Sequence, residues 1–103
     1  MKKVLLSADG EMSLFSVPDE VADHLDRYCR DFCDGWLRKT PDARNYYRKE
    51  NGWSGLVYNE MDFIDYLNQY VFREKSSPIQ TLHGIYGEKD LPAEYADLPC
   101  FNF

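Results

Sequence analysis

The sequence predicts a small α+β domain. It would have a short antiparallel sheet, built from an N-terminal β-hairpin and a candidate third strand, packed on two or three helices and closed by an extended aromatic C-terminal segment. Three observations predict it. Two β-prone runs at 2–8 and 12–17 flank Asp9-Gly10-Glu11, and Asp-Gly between apolar runs is a strong short-range hairpin signal. Val21, Leu25, Tyr28, Phe32 and Trp36 step by helical intervals and keep within roughly a 90° arc. Leu91, Tyr95, Leu98, Phe101 and Phe103 place large apolar groups where a chain more often carries a solvated tail. At 103 residues the chain reads as one domain, 1–103, with enough apolar residues, 44%, to bury a core.

The first helix has a legible start. Ser16 stands as N-cap, Pro18 in the first turn and Asp19 three residues after the serine, approximating a capping box. Asp23, Asp26, Arg27, Arg30 and Asp34 fall opposite the apolar arc. Thr40-Pro41-Asp42 then reads as a second N-cap, opening a short helix through Tyr46 and Tyr47 that stops near Asn51-Gly52. Residues 53–58 carry Gly55 and read as a loop or short strand. Asn59 caps a third helix from Glu60 to about Phe72, with Asp62 at the capping-box position and Phe63, Ile64, Leu67, Tyr70 and Val71 as its apolar face. Residues 73–78 form a polar connector. Ile79 to Tyr86, bounded by Pro78 and Gly87, is the candidate third strand, with a helical turn over Ile79 and Leu82 as the alternative. The aromatic close from Leu91 docks either on the chain's own core or on a partner, and a sheet edge needing cover favours the core.

Composition bounds the function. The apolar run behind Lys2-Lys3 stops after three residues, too short for a signal peptide, and no window approaches a membrane span. Three cysteines leave at least one unpaired, which suits a reducing cytoplasm. A net charge of −6 disfavours direct nucleic-acid binding. The charge is polarised, however. Residues 19–34 hold six acids and two arginines, whereas Arg38, Lys39, Arg44, Arg48 and Lys49 surround one acid, with Tyr46 and Tyr47 interleaved. Tyr46, Tyr47, Arg44, Arg48, Asp23, Asp26 and Asp34 are therefore the candidate interaction surface.

No cluster reaches the specificity of a catalytic, cofactor or metal motif, so none of these is assigned. Cys29 and Cys33, one turn apart, have a spacing at which two thiolates can share a metal with Cys100, His24 or His83, but both lie on or beside the apolar arc, where free cysteine packs as a small hydrophobe. His24 reads as a boundary histidine, and Gly84-Ile85-Tyr86-Gly87 lacks the cationic company of a nucleic-acid loop. The favoured expectation is a small acidic cytosolic protein without catalytic activity, a protein-protein interaction or regulatory module that pairs with itself as a homodimer or with another protein. The alternatives are an acidic inhibitor of a nucleic-acid enzyme, acting through the carboxylates of the first helix, and a small thiol enzyme using Cys100 or Cys29 with His83.

Overall fold

The fold follows from the apolar run Val4-Leu5-Leu6, three consecutive residues with no exposed surface. A strand turns successive side chains to opposite faces, so an unbroken apolar run requires both faces of its sheet to be covered. In the computed structural model, which describes residues 1–8, 10–41, 47–50 and 52–103, with 47–50 and 53–56 as backbone, this run forms β1 (Lys2–Ser7). It pairs antiparallel with β2 (Ser13–Val17), the hairpin expected across Asp9-Gly10. With β5 (Ser77–Thr81) and β6 (Cys100–Asn102), the four-stranded sheet has the order β5-β2-β1-β6, and helices complete a mixed α+β fold.

On one face Val4, Leu6, Phe15 and Val17 meet Val21, Leu25, Cys29, Phe32 and Leu37 of the first helical region and Phe63, Ile64 and Leu67 of the last. On the other, Leu5, Met12 and Leu14 are covered by Leu82, Ile85, Leu91, Tyr95 and Leu98, a crossing segment held by 3-10 turns at Glu88–Asp90 and Ala93–Tyr95. Backbone bonds from Leu82 N to Met12 O (2.8 Å) and from Met12 N to Ile85 O (2.8 Å) tie this layer to β2.

The aromatic close docks on its own core, as a fourth strand. β6 (Cys100–Asn102) runs parallel to β1, opposite Leu5, Leu6 and Ser7, so the sheet is antiparallel except at this edge. Period-2 alternation sends Cys100 to the crossing layer and Phe101 and Phe103 to the helical layer. Phe103 packs against Phe101, Phe63 and Phe32 with ring centres 4.9, 5.4 and 6.0 Å away. The third strand, β5 (Ser77–Thr81), begins two residues before the expected Ile79 and is wholly exposed. It is an edge strand containing Pro78, and its pairing to β2 shifts register between Leu14 and Phe15; both features blunt an edge against further pairing.

The helical expectations need correction. Ser16 is not an N-cap: it pairs with Lys3 and Ser77 inside the sheet, Pro18 holds the cap position without a side-chain bond, and α1 spans Asp19–Asp23. The first helix is also not continuous. It breaks at His24 (φ −135°, ψ 41°), resumes as α2 (Leu25–Arg30), widens into a π-helical stretch over Asp31–Trp36, and ends as α3 (Leu37–Lys39) before Thr40, whose extended backbone suits a residue preceding proline. The short helix expected through Tyr47 is instead a strand. β3 (Tyr47–Glu50) pairs antiparallel with β4 (Trp53–Leu56), with Glu50 opposite Trp53. Gly52 lies between the two strands with a positive φ, +81°, suited to a tight connection. Residues 42–46 of that expected helix lie outside the described residues. The third helix keeps its expected start: in α4 (Glu60–Tyr66) the Asn59 side chain accepts from Asp62 N (3.1 Å) and the Asp62 carboxylate from Asn59 N (2.9 Å). A second π-helical stretch, Leu67–Val71, follows.

If β6 and its aromatic neighbours anchor the two layers, Phe103→Ala lowers stability by about 2 kcal/mol, discounted from a fully buried phenylalanine for partial exposure. That is on the order of 10 °C in Tm by thermal unfolding; an unchanged Tm contradicts self-docking of the closing segment.

Candidate functional site

The surface residues singled out in the sequence do not converge. Asp23 is exposed and paired with Lys2 (2.7 Å), and Asp26 is exposed and paired with Arg30 (2.8 Å). Asp19 meets the N-terminal ammonium (3.0 Å) and Glu20 meets Arg27 (3.3 Å), so four of the six acids in 19–34 carry a cation of their own. Asp34 is exposed and carries no ion pair among the described residues. Arg44 and Tyr46 lie outside the described residues, and Tyr47 and Arg48 belong to β3.

A groove of about 810 Å³ runs over Ala22, Asp23, Leu25, Asp26 and Arg30 to Pro99 and Cys100. Asp23 and Asp26 in its walls are paired as just described, and Asp31, which also lines it, forms no ion pair among the described residues. A second, of about 370 Å³, opens beside β6 between Met12, Tyr86, Glu88 and Cys100.

The thiols have the electrostatics of buried or acid-contacted groups. Burial raises Cys29 well above the ordinary thiol range, with Cys33 and Asp26 adding to the effect. Cys33 is raised by burial and Asp34 and exchanges a hydrogen bond with Tyr58. Cys100 donates to Glu88 Oε1 (2.9 Å) and is pushed up to about 11, by burial first and by this carboxylate second. An activated nucleophile needs the opposite shift. His83, the base considered with them, faces Glu11 at 3.5 Å, and the same carboxylate accepts Gly84 N–H at 2.6 Å. Among the described residues no three or more His, Cys, Asp or Glu side chains are grouped to hold a metal ion, and no helix is long and apolar enough to cross a membrane.

A different place combines geometry with unexplained cost. The two π-helical stretches, six and five residues long, meet through aromatic rings. Such stretches account for well under 1% of residues in globular proteins and occur often at functional sites. In the first, Phe32 and Trp36 stack at 6.0 Å with ring planes 18° apart. Trp36 then contacts Tyr66 and Tyr70, each at 5.2 Å, across the helix pair. Phe32 is fully buried, Trp36 and Tyr66 are half-buried and Tyr70 is 55% exposed, so the ladder climbs from the core to the surface.

Beside it lies a shallow notch of about 530 Å³ lined by Asp31, Gly35, Trp36, Lys39, Pro41 and Tyr66. Asp31 is close enough to Tyr66 to help raise its phenol, after burial. Gly35 has no positive φ, and a Cβ built on it meets nothing within 4 Å. A mid-helix glycine costs roughly 0.5–1 kcal/mol relative to alanine. Neither backbone conformation nor close packing accounts for that cost here; what the missing side chain leaves is the space of the notch. Trp36 and Tyr70 read as core positions in the sequence, and the available signals for the notch were two aromatic i,i+4 pairs, Phe32/Trp36 and Tyr66/Tyr70, and a glycine interrupting a helical pattern.

Compared with protein-family models, curated proteins and solved structures, the chain matches none. Functional reasoning therefore rests on the geometry.

Two measurements check this account. Gly35→Ala raises stability by about 0.5–1 kcal/mol in denaturant unfolding, since it adds helix propensity where nothing obstructs a methyl group; a destabilised variant contradicts the reading of Gly35 as a cost to the fold. The rise of Cys100 from 9.0 to about 11 lowers its thiolate population about 100-fold at neutral pH and raises its intrinsic nucleophilicity about tenfold, so alkylation at pH 7, followed residue by residue by mass spectrometry, is about tenfold slower than for free cysteine. The sign for stability is set by the same shift. A thiol raised by folding contributes fully below its ordinary value of 9.0, and that contribution is lost as pH climbs toward about 11. Cys100→Ser removes this part of the alkaline loss.

Proposed function

We propose that this chain is a non-catalytic protein-interaction module that docks its partner on the aromatic notch at Gly35, Trp36 and Tyr66. The observation that carries the reading is the meeting of two π-helical stretches at a partly exposed tryptophan–tyrosine ladder beside a glycine whose missing side chain keeps the surface open. Tryptophan and tyrosine bury large area at low entropic cost and dominate interface energetics. The raised thiols support a non-catalytic role, and three unbridged cysteines support work in the reducing cytoplasm. The inhibitor reading, which needs a row of unpaired carboxylates, is weakened by the cations already on Asp19, Glu20, Asp23 and Asp26.

Gly35→Gln is the test variant, because it places a helix-compatible side chain into open space. The chain, tagged and incubated with lysate of its source cells, retains a partner that the Gly35→Gln protein loses without any lowering of its thermal unfolding midpoint. A wild-type protein that stays monomeric at high concentration and retains nothing, or a variant that retains the same partner equally, overturns the proposal.

A further inference from the structure

We infer that the notch takes an extended proline-rich peptide carrying a basic residue at one end and an acidic residue at the other; this rests on the interaction reading above and names its partner by chemistry. Three features of the notch carry the inference. Its walls are flat aromatic rings, Trp36 and Tyr66, with Pro41 and Thr40 closing one side. Aromatic-lined grooves of this kind suit the polyproline II helix, which is already ordered before binding and loses little entropy on docking.

Two opposite charges line the notch, eight residues apart on one helical run. Asp31 and Lys39 are both exposed, and neither forms an ion pair among the described residues. Their separation is no more than about 12 Å at an α-helical rise. A polyproline helix covers that span in about four residues. Asp31 and Tyr66 line the same notch, so an arginine paired with this carboxylate is also offered an aromatic wall. A glutamate at the other end meets Lys39. An isolated carboxylate or ammonium would use only half of this arrangement.

The glycine sets the depth. Gly35 lines the notch and a Cβ built on it meets nothing within 4 Å, so a side chain there would occupy open space that the proline rings would otherwise use. Shape and charge therefore agree on an extended, neutral-centred segment with oppositely charged ends.

The test uses a short synthetic polyproline peptide with arginine at one end and glutamate at the other, titrated into the full chain while the Trp36 indole N–H resonance is followed by NMR and assigned with Trp36→Phe. A saturable shift with a Kd tighter than about 1 mM is expected. Gly35→Gln weakens it at least tenfold without lowering the melting temperature, and a glycine-serine peptide with the same charged ends produces no saturable shift. Absence of a saturable shift, equal binding by the glycine-serine peptide, or unchanged affinity in Gly35→Gln overturns the inference. So does a Trp36 shift that follows protein concentration without peptide, which assigns the notch to a second copy of the chain. If the peptide fails while Gly35→Gln still abolishes partner capture, the partner class falls and the interaction reading stands; if both fail, both fall.

Discussion

The apolar run at the centre of β1 is the constraint on which the remaining structure depends. Val4, Leu5 and Leu6 are all fully buried, and because neighbours in a strand face opposite ways, a single covering layer cannot bury them. Each such side chain contributes roughly 1.5–3 kcal/mol only when fully withdrawn from water. Helices supply one cover. The second cover comes from the distal part of the chain, which crosses the opposite face as loops and 3-10 turns and then inserts Cys100–Asn102 beside β1. One continuous segment therefore covers a face, fills an edge and sends Phe101 and Phe103 around into the helical core. Closing contacts about 95 residues apart costs only slowly more entropy than closing shorter ones, but it ties the integrity of β1 to residues far from it in sequence.

Legibility from sequence divides along physical lines. Features encoded by adjacent residues with one meaning were readable: the Asp9-Gly10 hairpin, the Asn59/Asp62 capping box, and the core role of Val21, Leu25 and Phe32. Features encoded by residues with two meanings were not. Asn51-Gly52 stops a helix or joins two strands, and the choice fell to the pairing of Tyr47–Glu50 with Trp53–Leu56. Ser16 is as suited to a cap as to a strand, and its two neighbouring strands decided the matter. The π-helical stretches left no periodic mark, since a five- or six-residue departure from 100° per residue is lost in a longer amphipathic pattern. The notch stayed hidden because Trp36 was counted as core and Tyr66 was not singled out.

The polarised charge of the sequence illustrates a related limit. Six acids in residues 19–34 suggest a negative face, yet folding brings Lys2, the amino terminus, Arg27 and Arg30 against four of them. Exposed pairs of this sort contribute at most about 1 kcal/mol each to stability. Their larger consequence is to the field: they offset Asp23 and Asp26 in the groove and leave Asp31, which lines the same groove, and Asp34 as the carboxylates of this helical region without ion pairs among the described residues. The negative end of the surface is thereby moved toward the aromatic ladder.

That ladder joins the core to the surface through one ring. Phe32 is buried at the centre of Trp36, Tyr58, Phe63, Tyr66 and Phe103, all within 5.3–6.0 Å of it. Trp36 is held by its stack on Phe32 and by Tyr66 and Tyr70 from the opposite helix, so its ring is ordered within the free chain, and on the proposed reading that would lower the ordering cost of binding. The same arrangement makes Phe103, at the far end of the sheet, a distant support of the notch: removing its ring loosens Phe32, and Phe32 carries Trp36. Gly35 contributes no ring to this chain of support, and a Cβ built on it meets nothing within 4 Å, so its substitution narrows the notch without removing a ring contact, whereas every aromatic substitution in the cluster removes one.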